Sequence, residues 1–280
     1  MPLNQYVYET HVMKNSLLPF IFKRLTVKNS KMGLPNWHEN IEIICFTDGE
    51  GQIKLETECI SVKTGDIAVV NSETLHVITS ENYITYYFLI IDKEFCETNG
   101  IDILSLKFRD LINDGGIFSA FQALANEVQL IKSGDDGLCT VPQIRHTVLG
   151  ILLSLCREHL ISERFSKPQK DSTSQRVKEI MLYLRSHLAE PIRLDEIAEH
   201  VCVSKYHMSR EFKLISGTTI FDYLGMLRCK EAKRMLTEGH TVSEAASACG
   251  FENLSYFTRS FKKYIGVLPS VYAKSKKAEK

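Results

Sequence analysis

Residues 194–217 read LDEIAEHVCVSKYHMSREFKLISG, and residues 242–266 read VSEAASACGFENLSYFTRSFKKYIG. The two stretches are one pattern written twice. Glu196, Ala198 and Val201 answer to Glu244, Ala246 and Cys249 at an offset of 48. Met208, Arg210, Phe212, Lys213 and Gly217 answer to Phe257, Arg259, Phe261, Lys262 and Gly266 at an offset of 49. One residue inserted at the second turn accounts for the slip.

Each copy predicts a short helix, a tight turn and a longer helix. In the first, Ile197, Ala198 and Val201 share a helical face, Val203 follows the turn, and Met208 and Phe212 stand four apart on the second helix. That set predicts the core. Ala198 and Ala246 fall where the two helices must approach closely. Thr241 with Glu244 predicts a capping box in the second copy, whereas Arg193 occupies the equivalent place in the first and carries no such signal. Ser204 and Asn253 are the expected caps of the longer helices.

With Met208 and Phe212 turned inward, Tyr206, Ser209, Arg210 and Lys213 lie on the other faces of the helix, which are polar and basic. Their counterparts are Ser255, Thr258, Arg259 and Lys262, joined by Leu254 at the helix start. A helix laid in a major groove offers its early residues to base edges and its later Lys and Arg to phosphates. Arg210 and Arg259 suit either a bidentate contact to guanine or a phosphate clamp. A single basic helix face is as often merely solvated; the duplication makes double-stranded DNA the better reading.

These residues carry a resemblance. Residues 175–275 resemble the DNA-binding domain of AraC/XylS-type transcription regulators, through the LDEIAEHV helix, the run Ser209 to Lys213, the stretch FDYLGMLRCKEAKRML from Phe221 to Leu236, and the closing GFENLSYFTRSFKKYIGVLPSVY. The resemblance implies two helix-turn-helix units (194–217 and 242–266) joined by a linker helix, with recognition helices in successive major grooves. It places base-reading positions at Tyr206, Ser209, Arg210, Leu254, Ser255, Thr258 and Arg259. Leu254 departs from the polar residue often found there and suits a thymine methyl. The resemblance also implies contact with RNA polymerase and activation of transcription, with repression as the other outcome in the family.

Composition agrees. The 280 residues hold 34 Lys and Arg against 34 Asp and Glu, but residues 172–280 carry a net +6 and residues 1–171 a net −6. A basic lobe is the footprint of phosphate contacts, and 280 residues suffice for two cores. Eight cysteines contain no C-x-x-C pair, the first residues are polar, and no apolar run is long enough to span a bilayer. A cytoplasmic protein without a membrane partner is expected.

Between about Phe20 and Ile91 the rhythm changes to short β-rich runs (FIFKRLTV, IEIICFT, GQIKLET, CISVKTG, DIAVVN, HVITS, ITYYFLII) separated by turn signals such as Asp48-Gly49 and Glu50-Gly51. Strands this frequent predict a small barrel or sandwich. The segment from Pro35 to His76 resembles the cupin-like sensor domain of many such regulators. Cupin enzymes hold a metal with an H-x-H, a Glu and a distant His; the corresponding positions here are Asn36, His38, Glu42 and His76, so the first ligand is missing. His38, Glu42 and His76 would still make a two-histidine, one-carboxylate triad, but they are expected to line a ligand cavity, with no metal and no cofactor. Alternation puts Glu42, Ile44 and Phe46 on one face of their strand, Ile41, Ile43 and Cys45 on the other, and His38 with Glu42. Either Tyr86 and Phe88 or Tyr87 and Leu89 line the far wall; Arg24 and Trp37 are further candidates.

Helices are expected at Phe118 to Lys132 and at Val141 to Arg164, the second with an apolar stripe (Ile144, Val148, Ile151, Leu152, Leu155 and His159) suited to pairing two subunits or to covering its own barrel. The stretch Ser162 to Gln175 has linker composition. The expected fold is therefore α+β: a cupin-like sensing and dimerisation domain (1–165), a linker (166–174) and an all-α DNA-binding domain (175–280). The expected function is a homodimeric, non-enzymatic regulator controlled by a small polar, sugar-like effector. The alternatives are a barrel that serves only dimerisation or protein contact, and a metalloenzyme tethered to a DNA-binding module.

Overall fold

The computed structural model describes residues 18–30, 33–134, 137–163 and 172–278. The described residues fall into two compact units, 18–163 and 172–278.

The first unit is built from β1 (Phe20–Ser30), β2 (Ile41–Leu55), β3 (Glu58–Lys63), β4 (Ile67–Val70), β5 (His76–Ile91), α1 (Lys93–Thr98), β6 (Leu106–Phe108), β7 (Leu111–Ile112), α2 (Gly115–Ser133), α3 (Thr140–Glu158) and β8 (Leu160–Glu163). One antiparallel sheet runs β1-β5-β2-β4-β7, with β3 paired to β2. The run Ile41 to Phe46 is buried on both sides because its alternation serves two cores. Ile41, Ile43 and Cys45 pack beneath Phe121, Leu124, Val148 and Leu152 of α2 and α3. Ile44 and Phe46 face Ile53, Val62, Ile84 and Tyr86 inside the folded sheet.

Four expectations are corrected. Seven short runs become five strands, because Asp48-Gly49 and Glu50-Gly51 are not hairpin turns and because HVITS runs on into ITYYFLII as a single strand, β5. The two dipeptides are irregularities where the β2–β5 register slips between Phe46 and Asp48 and again between Gly49 and Gln52. Gly49 has φ +84°, and a Cβ there would stand 2.3 Å from Tyr83 O. These bulges fold the long strands over, but among the described residues β1 and β7 end the hydrogen-bonded path, so the sheet does not close into a barrel. The second long helix stops at Glu158 rather than Arg164. His159 O accepts from Arg109 N–H, the His159 ring meets Asp114 at 2.8 Å, and the chain leaves as β8 to pair with β6. The expected linker is correspondingly narrower: Ser162 and Glu163 are strand, Ser172 to Gln175 begin a helix, and residues 164–171 lie outside the described residues.

The second unit is all helical: α4 (Ser172–Ser186), α5 (Leu194–His200), α6 (Lys205–Ser216), α7 (Ile220–Glu238), α8 (Val242–Ala248), α9 (Leu254–Ile265) and α10 (Pro269–Ala278). Ile197, Ala198, Met208 and Phe212 are buried in the first copy, and Ala246, Cys249, Phe257 and Phe261 in the second. The linker helix α7 serves both. Its Tyr223 stacks edge-on against Phe212 (5.6 Å between ring centroids), whereas Cys229, Ala232 and Leu236 join the core of the second copy. Arg228 ties α7 to the loop after α4 through bonds to Leu188 O (2.8 Å) and Glu190 O (2.7 Å).

Candidate nucleic-acid interface and effector cavity

Helices α6 and α9 start where side-chain acceptors satisfy their first amides. Ser204 Oγ accepts from His207 N–H at 3.3 Å and Asn253 Oδ1 from Tyr256 N–H at 2.8 Å. Each ends on a left-handed glycine, Gly217 at φ 75° and Gly266 at φ 90°. With Met208, Phe212, Phe257 and Phe261 fully buried, the remaining faces are fixed. Tyr206 (78% exposed), Arg210 and Lys213 project from α6, and Leu254, Ser255, Arg259 and Lys262 from α9; Ser209 and Thr258 are half-buried beside them. The residues singled out in the two copies therefore share equivalent faces.

Sequence reading passed over His207. It lies exposed on α6 one turn before Glu211, with Nε2 2.9 Å from Glu211 Oε1, while Arg176 of α4 holds the other carboxylate oxygen at 2.9 Å. Glu211 is buried, so the pair anchors α6 to α4 and positions His207 on the same exposed surface as Arg210. Its signal in the sequence is the spacing of four between His207 and Glu211, one turn of helix apart.

In the first unit, a cavity of about 290 Å³ opens on the inner face of the sheet. Its walls are aliphatic and aromatic (Leu25, Val27, Ile78, Tyr86, Phe88), and its polar lining is Ser30, Asn36, Glu42 and His76. Of the two alternatives for β5, Tyr86 and Phe88 face this cavity, while Leu89 belongs to the core under the helices and Tyr87 packs against it. Arg24, Trp37 and His38 are not among the lining residues; His38 is buried behind Glu42. Arg24 is exposed and sits 5.9 Å from the Tyr87 ring centroid, on the opposite face of β1 from Leu25 and Val27; Trp37 is buried. Gly33 admits the entry segment: a Cβ there would meet Val77 Cγ2 at 2.2 Å.

His38, Glu42 and His76 converge as the sequence suggested. His38 Nε2 stands 3.1 Å and His76 Nε2 3.0 Å from the same oxygen, Glu42 Oε2. An antiparallel bridge between Asn36 and His76 sets the approach (Asn36 N to His76 O 3.1 Å, His76 N to Asn36 O 2.9 Å). Burial alone pushes the Glu42 carboxyl up, but the charge and hydrogen bonds of His76 and His38 outweigh it and hold the carboxyl far below the usual carboxylate range. Burial, reinforced by Glu42, raises the Tyr86 phenol, which stays protonated and able to donate.

The comparisons agree with this architecture. A family profile described as AraC-like ligand binding domain matches residues 26–140, and one described as helix-turn-helix domain matches residues 197–275. The HTH-type transcriptional activator AarP of Providencia stuartii is 30% identical over 109 residues, covering 39% of this chain and 81% of AarP. The melibiose operon regulatory protein of Escherichia coli K12 is 21% identical over 265 residues, covering 87% of this chain and 84% of that protein. A ToxT variant from Vibrio cholerae strain SCE256, solved without ligand, superposes with TM-score 0.51 at 14% identity over 91% of this chain and 97% of ToxT, a likeness of fold. The chain belongs to the AraC family: it is a DNA-binding transcriptional regulator with a ligand-binding domain.

Proposed function

We propose that the chain is a cytoplasmic, homodimeric activator of transcription whose effector is a small polar, sugar-like metabolite seated in the sheet cavity, and that it catalyses no reaction. Residues 1–165 sense and pair, residues 166–174 link, and residues 175–280 bind promoter DNA. Tyr206, Ser209, Arg210, Leu254, Ser255, Thr258 and Arg259 meet bases, and Lys213 and Lys262 meet phosphates. RNA polymerase is the partner through which bound DNA is read out.

The observation that carries the DNA reading is the repeated presentation of Arg210 with Lys213 and Arg259 with Lys262 around buried aromatic anchors. The effector reading rests on the cavity, whose size suits a molecule of monosaccharide scale. Its polar lining, Ser30, Asn36, Glu42 and His76, would orient the molecule against apolar walls. The melibiose operon regulator among the relatives supports the same class. An effector changes DNA engagement only by binding one arrangement of the protein more tightly than another.

The test is anisotropy of labelled duplexes spanning the promoters nearest the protein's own gene, against random competitor, at rising salt. Preferential binding that weakens steeply with salt is expected, and Lys213→Ala or Lys262→Ala should each reduce the salt slope by about 1. No preference at any salt would refute the reading. A thermal-shift panel of sugars tests the cavity. Stabilisation lost in Glu42→Gln supports an effector; no response to any sugar favours a sheet unit used only for pairing or protein contact.

A further inference from the structure

His38 and His76 are each held by one ring nitrogen on a backbone carbonyl and turn the other toward a single carboxylate oxygen of Glu42. His38 Nδ1 lies 3.0 Å from Asn40 O, and His76 Nδ1 lies 3.0 Å from Thr74 O. A backbone carbonyl only accepts, so both Nδ1 atoms carry hydrogen, and in the neutral rings the lone pair is on Nε2. Both Nε2 atoms aim at Glu42 Oε2, itself an acceptor, at 3.1 and 3.0 Å. Three atoms able to ligate a metal converge on one spot, on residues only 1%, 7% and 5% exposed.

We propose that His38 Nε2, Glu42 Oε2 and His76 Nε2 form one face of a binding site for a divalent first-row transition-metal ion. The three donor atoms lie within 4.8 Å of one another. Adjacent ligands of an octahedral ion with bonds of about 2.1 Å stand about 3.0 Å apart, which matches the two nitrogen–oxygen separations. Two imidazoles and one carboxylate favour iron, manganese, cobalt or zinc over magnesium or calcium. Each imidazole already donates its far N–H to a backbone carbonyl, the arrangement that fixes the tautomer and orientation of a metal-ligating histidine. Because Glu42 and His76 also line the cavity, the positions left open on the ion face the space an effector would enter, and an oxygen donor of that molecule, or water, completes the sphere. The inference rests on these three side chains and stands whether or not the effector is a sugar. It reverses the sequence-level expectation of a metal-free cavity.

The experiment is titration of the chelator-stripped full chain with Co²⁺, followed by calorimetry and visible absorption, with promoter binding measured on the same samples. One equivalent is expected, bound at least tenfold more weakly by Glu42→Gln and by His76→Gln, without the intense near-ultraviolet bands of cobalt–thiolate bonds. Should those variants fail to fold, proton NMR of the wild-type cobalt protein decides: two exchangeable, paramagnetically shifted N–H signals are expected from the two ligating imidazoles. No cobalt uptake by folded wild type, unchanged affinity in both variants, thiolate bands, or the absence of shifted N–H signals would each overturn the site. Loss of the metal claim with promoter binding intact leaves the regulatory reading standing, and the reverse result separates the two equally well.

Discussion

The two helix-turn-helix copies make the same turn from different residues, and the difference shows how much local chemistry a tertiary scaffold replaces. After α5 the left-handed residue is Cys202 (φ 55°); after α8 it is Gly250 (φ 73°). The following amide then returns to the same place, Val203 N to Ala198 O at 3.0 Å and Phe251 N to Ala246 O at 3.1 Å. The second copy also has a full capping box: Thr241 Oγ1 accepts from Glu244 N–H, and Glu244 accepts from Thr241 N–H at 2.8 Å. In the first, Arg193 offers only donors, so just the return bond forms, from Arg193 N–H to Glu196 at 3.4 Å. What the first copy lacks locally it recovers by packing on α4, through the Arg176–Glu211 pair.

The largest effect should come where the copies are alike. Phe212→Ala and Phe261→Ala each remove a fully buried ring, so each should cost about 3–5 kcal/mol, read as accelerated amide hydrogen exchange across the affected pair of helices. A loss confined to one of the two would break the equivalence of their cores.

Next come the turns, where the copies should respond with opposite sign. Gly250→Ala would drive a Cβ to 2.7 Å from Ala189 O in a left-handed backbone, and a loss of roughly 2–3 kcal/mol is expected in α8 and α9. Cys202→Gly relieves a strained, exposed residue, and exchange in α5 and α6 should slow by up to about 1 kcal/mol, less the entropy glycine adds to the unfolded chain. Equal and destabilising responses would mean that the two turns are not alternative solutions to one geometry.

The smallest effects belong to the caps. Thr241→Ala should cost about 1 kcal/mol, and Arg193→Thr should stabilise α5 by about 0.5 kcal/mol by completing the missing half of the box. Urea titration of each variant followed by exchange checks both signs. A neutral Thr241→Ala would show that packing on α7, not capping, sets where α8 begins.

The same contrast explains what was legible in the sequence. The helical unit was readable because its determinants are local: Ser204 and Asn253 cap, Gly217 and Gly266 terminate, and the spacing of Met208 with Phe212 fixes the inward face. Nothing about a cysteine announces the positive φ of Cys202, and the burial of Glu211, which holds His207, depends on packing against Arg176, 35 residues earlier in the chain. In the sheet unit, alternation correctly divided Ile41, Ile43 and Cys45 from Glu42, Ile44 and Phe46, and placed His38 with Glu42. It could not decide between Tyr86 and Tyr87, nor foresee that Asp48-Gly49 would bulge rather than turn, because both depend on pairing between β2 and β5. The end of α3 was hidden for the same reason, since its apolar stripe runs on and only β6 and Asp114 stop it.

The account turns on each copy serving its own stretch of duplex. Interference footprinting, which registers base and phosphate contacts alike, on the preferred promoter with wild type, Arg210→Ala and Arg259→Ala measures that directly. Two contact segments about one helical turn apart are expected, with Arg210→Ala erasing signals in one and Arg259→Ala in the other. Loss of the same segment in both variants, or of neither, would contradict it.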